Sequence, residues 1–457
     1  MAETGTGIHR LSDSVQPREL RAGSQDSSGH PDRLGRIALP LIGSDAVLQG
    51  ARYLLILYVG YQSLSLLGSF LMGAAAGSLI VAAADFGISQ HWLRLGGAVP
   101  PLSVETFLRT IQGKVLFSLL GMLLVAAPAG IGLWPLATPS AMVLGMILMV
   151  SQSLGETCDA VALSAHRYGT VLRFRLFLAV GGYLAPVIGA YLFGQAPLLG
   201  GVVAVLVTAA IVGIVISCVY LVTIASALSA DAGGGVGYGE VLWQSRWLGL
   251  NQMAIVVDVR APLIILGFML GETAVGVYGL VQRTTAVVEL AWASISRLLI
   301  TSYSELGADD QVGELEVRVW RAAGLTGLIT ATLVACVWFA IAVVTGNMTL
   351  SNDATLALSL LKVGSLAIVL SSFKRPFVSG LIAIYQERTV CRVNVLSAVA
   401  GLLLVPVCIV YLNLWGPVVA WLLLEAAACA LLVFLFVSVI RTAQANRELR
   451  FPQRAVL

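Results

Sequence analysis

Lys374 and Arg375 stand side by side in the run "SSFKRPF", just before Pro376, inside an apolar stretch from Ala354 to Tyr385. Adjacent cations in such a run, where they line a cavity, would meet an anion. Lys362, about three helical turns earlier, would extend the same positive wall. Arg52, Arg260 and Arg283 lie in other apolar runs, as do the acids Asp45, Glu156, Asp159, Asp258, Glu289 and Glu425. A charge at the centre of a membrane helix costs about 2.5–3.5 kcal/mol by insertion scales. Each such side chain therefore needs a partner or a wet cavity.

Each group has a bland reading and a sharp one. Lys374 and Arg375 end a span at Phe373 and mark the headgroups, or the helix continues to Tyr385 and they line a cavity. The second requires that neighbours satisfy the carbonyl freed by Pro376. Glu156 and Asp159, spaced i, i+3, share one helical face. They form a structural ion pair with a cationic helix, or a cation or proton site that couples transport to a gradient. Asp258 and Arg260 point about 200° apart on a helix, so an interhelical salt bridge is expected for at least one of them. Asp85 and Arg94 bracket a span end and read as topological and capping residues. Arg283 and Glu289 stay ambiguous.

The elements that position these residues follow from composition. The chain has 457 residues, 58% hydrophobic and 11% charged, with mean hydropathy +0.91. A soluble domain carries roughly 25% charged residues, so this is a polytopic membrane protein. Twelve apolar segments are long enough to span: Ile37–Gly60, Leu64–Ile88, Val115–Trp134, Ala141–Leu163, Val171–Phe193, Gly200–Ala225, Val241–Met269, Ala274–Leu299, Val319–Val344, Ala354–Tyr385, Asn394–Leu412 and Gly416–Ile440. They are apolar all round, which favours helices over barrel strands. The expected division is a disordered tail over 1–36, a first lobe over 37–230, a linker over 231–240, a second lobe over 241–441 and a tail over 442–457. Six scattered cysteines without a Cys-x-x-Cys pair, and only four histidines, predict neither a disulfide framework nor a metal site.

Arg and Lys gather in both tails and around the even-numbered connections, from Arg94, Arg109 and Lys114 to Arg388 and Arg392; the odd-numbered connections hold none. By the positive-inside rule both termini are expected in the cytoplasm. The chain also repeats weakly. With an offset of about 208, Ala51–Phe70 lies over Val259–Tyr278, placing Arg52 on Arg260 and Gly68 on Gly276. With an offset of about 220, Ser151–Tyr168 lies over Ser371–Arg388. Two six-helix lobes with corresponding helices running the same way are predicted, a plan common in transporters.

No P-loop, His-Glu-x-x-His or Gly-x-Ser-x-Gly motif is present. The expected protein is not an enzyme, needs no cofactor and has no nucleic-acid partner. "VAAADFGISQHWLR" (Val81–Arg94) resembles the "ADFG-SQ" signature of polysaccharide and O-antigen flippases. "VDVRAPLIILGFMLGETAVGVYGLVQR" (Val257–Arg283) resembles their seventh and eighth spans. The resemblance covers Leu34 to about Arg441 and points to the multidrug/oligosaccharidyl-lipid/polysaccharide exporter superfamily. It implies two lobes around a central cavity that opens alternately to each side of a bacterial cytoplasmic membrane. The implied cargo is a polyprenyl-diphosphate-linked oligosaccharide, with its diphosphate held by cavity cations: Lys374, Arg375, Lys362, Arg260 and Arg52. Glu156, Asp159 and Asp258 become the candidates for coupling to an H+ or Na+ gradient. Membrane lipids and glycan polymerase machinery are the implied partners. A drug or metabolite antiporter of the same superfamily would share the architecture. A membrane glycan polymerase or ligase would need a sizeable outer loop, and the outer loops are very short. Lipid II flippases usually have two further spans, for which no segments are found.

Overall fold

The computed structural model describes residues 30–95, 103–130, 139–165, 167–192, 199–228, 238–286, 292, 299, 303, 312–347, 352–384 and 386–450. Among these, every regular element is helical. In chain order they are α1 (His30–Gln62), α2 (Leu64–Asp85), α3 (Ile88–Leu95), α4 (Val104–Gly130), α5 (Pro139–Ser164), α6 (Tyr168–Phe177), α7 (Ala185–Leu192), α8 (Leu199–Ala225), α9 (Tyr238–Gln244), α10 (Arg246–Leu270), α11 (272–286), α12 (Val312–Asn347), α13 (Asn352–Ala383), α14 (Glu387–Leu412) and α15 (Gly416–Arg450).

Nine described stretches are long and apolar enough to cross a membrane, and one of them, Glu387–Thr442, joins α14 to most of α15. With α1 and α11, each of the twelve expected spans is met by helix. α1 begins at His30, ahead of the Ile37 expected, and α15 continues to Arg450. The tail over 1–29 and the linker segment 231–237 lie outside the described residues, as does most of the stretch from Ala286 to Val312.

One helix changes its winding just before a proline. α6 passes into α7 through a π turn, Leu178–Leu184, in which the Ala185 N–H reaches back to the Val180 carbonyl. Pro186 follows at once, and widening the turn is one way a helix absorbs its missing N–H. Turns are equally local. Ser63 caps α2 by accepting from the Leu66 N–H at 3.2 Å. Gly271, at φ +85°, reverses the chain between α10 and α11.

Small residues set the packing. In the first lobe α2 and α5 run parallel in close contact, because Gly73 lies against the Met142 carbonyl and Gly145 against that of Phe70. Small faces of this kind bring membrane helices together where no hydrophobic drive exists between them. α2 is the most deeply buried of the described spans. It packs on α5 and α4 within its own lobe and on α10 across the seam.

That seam carries the weak sequence repeat in physical form. Gly68 touches the Glu272 backbone, and Gly276 touches the Leu64 backbone. Shifting either contact by about 208 positions produces the other. Leu71 and Gly279, themselves related by that offset, touch each other and so straddle the pseudo-twofold axis. The lobes also agree internally. α1 runs parallel to α6, with Asp45 near Arg175 and Arg52 near Tyr183. α10 runs parallel to α14, with Asn251 bonded to Asn394 at 2.9 Å and Asp258 beside Gly401. The protein is an all-α polytopic membrane protein of two six-helix lobes.

Candidate functional site

α13 runs unbroken through Lys374, Arg375 and Pro376. Pro376 has no N–H, so the Ser372 carbonyl loses its helical donor. The Thr326 hydroxyl of α12 supplies one at 3.2 Å. The neighbouring aromatics fix the helix rotation. Phe373 and Phe377 share one face and pack on Trp320, and Phe377 also meets Phe436 of α15, with ring centroids 4.9–6.4 Å apart. With that face anchored, Lys374 and Arg375 turn toward the lobe interior.

They enter a cavity of about 470 Å3 among α10, α11, α13, α14 and α15. α10 contributes Asp258 and Arg260, α11 contributes Tyr278 and Arg283, and α15 contributes Glu425. Gly401 of α14 leaves room for the Asp258 carboxylate, since a Cβ there would stand 3.3 Å from its oxygen. The depth of the cavity follows from helix rise. Arg260, Arg283, Gly401 and Glu425 each lie about 15 Å from the end of their helix nearest the Gly271 and Asn413–Trp415 turns. A bilayer core is about 30 Å thick, so the cavity sits near mid-depth.

Its electrostatics are cationic. Lys374 pairs with Glu425, whose side chain is 9% exposed. Arg260, Arg283 and Arg375 line the same space, with Asp258 as the other acid. Arg283 is half-buried within the electrostatic reach of both Arg260 and Arg52, and its Nε has no acceptor among the described residues. Arg52 approaches from α1, with its guanidinium 5.3 Å above the Tyr183 ring in the π turn and its own Nε unpartnered. Arginines from three helices, α1, α10 and α11, therefore repel one another around Arg283. An anion would relieve that repulsion.

The remaining candidates lie elsewhere. Lys362 is half-buried on α13 and is not among the residues lining the cavity. Asp159 accepts from Arg175 Nε at 2.8 Å and from the Tyr220 hydroxyl at 2.7 Å, with Asp45 3.9 Å from the same arginine. That is the geometry of a structural ion pair joining α5, α6 and α8. Glu156 is exposed and accepts from Gln152 at 2.6 Å.

Sequence reading passed over two arrangements. Lys114, counted among the loop cations, is buried and donates to Asp85 at 2.7 Å and to Thr157 at 2.5 Å. The signal lay in the helix start: α4 begins at Val104, so Lys114 is already inside the lobe. The "ADFGISQ" run is the second. Phe86 takes φ +36° and Gly87 φ +78°, and both press on Gly249 of α10. Ser89 bonds Asp85, Gln90 bonds Gln252, and Ser245 donates to the Phe86 carbonyl. The motif knots the two lobes together at the end of the seam remote from Gly271.

No protein-family model and no curated protein matches the chain. Solved structures share its fold. An inward-facing multidrug resistance MATE family transporter of the MOP superfamily superposes with a TM-score of 0.62 at 16% identity, covering 88% of this chain and 96% of that one. An outward-facing MATE family transporter gives 0.57 at 15% identity, covering 90% and 96%. A MOP superfamily transporter from Pyrococcus furiosus, described as having a binding pocket of reverse polarity, gives 0.57 at 14% identity with the same coverage. The twelve-helix, two-lobe architecture is that of these transporters.

Proposed function

We propose that this protein is an alternating-access flippase that moves a polyprenyl-diphosphate-linked oligosaccharide across the bacterial cytoplasmic membrane for polysaccharide biosynthesis, with both termini in the cytoplasm. The observation that carries the proposal is the cation cluster at mid-depth: Arg260, Arg283, Lys374 and Arg375 around one cavity, with Arg52 within reach. Among the described lining residues the cations outnumber the acids Asp258 and Glu425, so the cavity is complementary to an anion. A diphosphate fits, since guanidinium groups bind its oxygens in bidentate fashion. The sugar would cross in the aqueous space between the lobes. Glycan polymerase machinery would act on the product.

In this reading an H+ or Na+ gradient drives the cycle. Asp258 faces the cavity and Glu156 is accessible, so these two are the coupling candidates; Asp159 serves the first lobe's ion pair.

A second reading, a cation-coupled drug or metabolite antiporter, has its own support. The solved neighbours include proteins described as multidrug transporters, and Asp258 and Glu425 could receive a cationic cargo once Lys374 is displaced.

The test is to delete the gene and search extracted lipids by mass spectrometry for accumulated polyprenyl-diphosphate oligosaccharide. Accumulation that is cleared by the wild type, but not by Lys374→Ala/Arg375→Ala at equal protein level, supports the flippase and its cavity. Unchanged lipids with an intact glycan coat would transfer support to the antiporter.

A further inference from the structure

Where α10 and α14 begin, a second groove of about 370 Å3 opens on another face of the pair. Trp247, Leu250, Val395, Leu396 and Val399 wall it, and Arg388 and Arg392 join them at the α14 start. Leu250, Leu396 and Val399 are 40–60% exposed. In a chain that spans a membrane, such surfaces meet acyl chains. Arg388 and Arg392, spaced i, i+4, share one helical face. Both are exposed, and neither forms an ion pair with a carboxylate among the described residues. The Arg388 guanidinium lies 5.5 Å over the Trp247 ring, and one turn earlier Arg246 lies 4.4 Å over Trp243.

Along α14 the groove runs from cations to hydrocarbon. From Arg388 to Val399 the rise is about 16 Å, roughly half the thickness of a bilayer core. Arg–Trp pairs mark the interface level, and the aliphatic wall lies deeper. On α14 this face is turned about 120° from the one that carries Ser397 and Gly401 to the cavity, so the two sites are separate.

We propose that this groove binds one anionic phospholipid, its phosphate held by Arg388 and Arg392 and an acyl chain laid along Leu250, Leu396 and Val399. Charge complementarity selects the lipid class: basic residues near an anionic leaflet are attracted to it, and a zwitterionic headgroup returns that gain in part. The inference is independent of the cargo proposed above.

The test titrates the full-length protein, purified in mild nonionic detergent, with phosphatidylglycerol or phosphatidylcholine of identical chains, read by native mass spectrometry. The expected result is a one-to-one phosphatidylglycerol adduct at least tenfold tighter than the phosphatidylcholine adduct. Arg388→Ala/Arg392→Ala should reduce it to the phosphatidylcholine level, while Arg173→Ala/Arg441→Ala leaves it intact. Should the first pair not yield folded protein, Leu396→Trp/Val399→Trp decides, since it fills the groove and keeps the cations; it too must lose the adduct. Equal binding of the two lipids, or binding that survives the variants, overturns the proposal. So does displacement by soluble glycerol phosphate, which would mark a free-phosphate site.

Discussion

Thr326 of α12 donates its hydroxyl proton toward the Ser372 carbonyl of α13, 3.2 Å away, the acceptor that Pro376 deprives of its helical N–H. The Ala323 carbonyl lies at the same distance from that hydroxyl, so one proton serves two acceptors. Thr326→Val keeps the shape and removes the donor. It should destabilise the protein by about 1 kcal/mol, the cost of a buried unsatisfied carbonyl. In a Pro376→Ala background the N–H returns and the same substitution should be neutral. Thermal unfolding in detergent across this double-mutant cycle measures the coupling; equal effects in both backgrounds would remove Thr326 from the account of the continuous helix.

Lys374 has two duties, balancing Glu425 and facing the cavity. Lys374→Ala alone leaves a carboxylate uncompensated in a site of low dielectric. Adding Glu425→Gln removes that penalty. If Lys374 holds cargo, the double variant should regain stability while transport stays at least tenfold reduced. Recovery of both would assign the lysine to structure alone.

The Asp85–Lys114 pair predicts a similar asymmetry in the first lobe. Its side chains are 15% and 3% exposed. Lys114→Met should cost about 3 kcal/mol, because one buried charge loses its partner. Asp85→Asn together with Lys114→Met should recover more than half of that loss. Yield and melting temperature report it; a neutral Lys114→Met would show that water already solvates Asp85.

Two glycines on α2 separate folding from lobe movement. A Cβ on Gly73 would overlap the Met142 carbonyl inside the first lobe, and one on Gly68 would overlap the Glu272 carbonyl across the seam. Gly73→Ala should lower stability by about 1–3 kcal/mol through overpacking. Gly68→Ala should instead spread the lobes near Gly271. Spin labels at Tyr61 and Met269 in a cysteine-free background would read the change as a longer distance; identical distance distributions would count against a hinge at this seam.

Asp159 and Glu156 should part company on mutation. Asp159→Asn weakens the Arg175 and Tyr220 contacts and should reduce thermal stability. Glu156→Gln should leave stability unchanged, because its side chain is exposed. If Glu156 couples the gradient, only this variant would lower the gradient-dependent part of transport in reconstituted vesicles. Loss of coupling in Asp159→Asn at full stability would reverse the assignment.

The class of the protein, its approximate spans and their two-fold repetition were legible in the sequence. Apolar run length suffices for the spans, because a backbone in hydrocarbon has few ways to satisfy its own hydrogen bonds. The offset of about 208 that lays Gly68 on Gly276 returned as reciprocal contacts, since the same close approach recurs on both sides of one axis. Tertiary structure alone decided which charges meet. Arg283 and Glu425 looked no different in the sequence from Arg52 or Lys362, yet the first two line the cavity beside Lys374 and the last two do not. Asp159 and Glu156 share a helical face by spacing, but α6 and α8 cover only one of them. A charge in an apolar run announces that it needs a partner. The partner is set by helix rotation and lobe packing, fixed here by aromatic anchors such as Phe377 against Trp320 and Phe436, and by glycines hundreds of positions away in the chain.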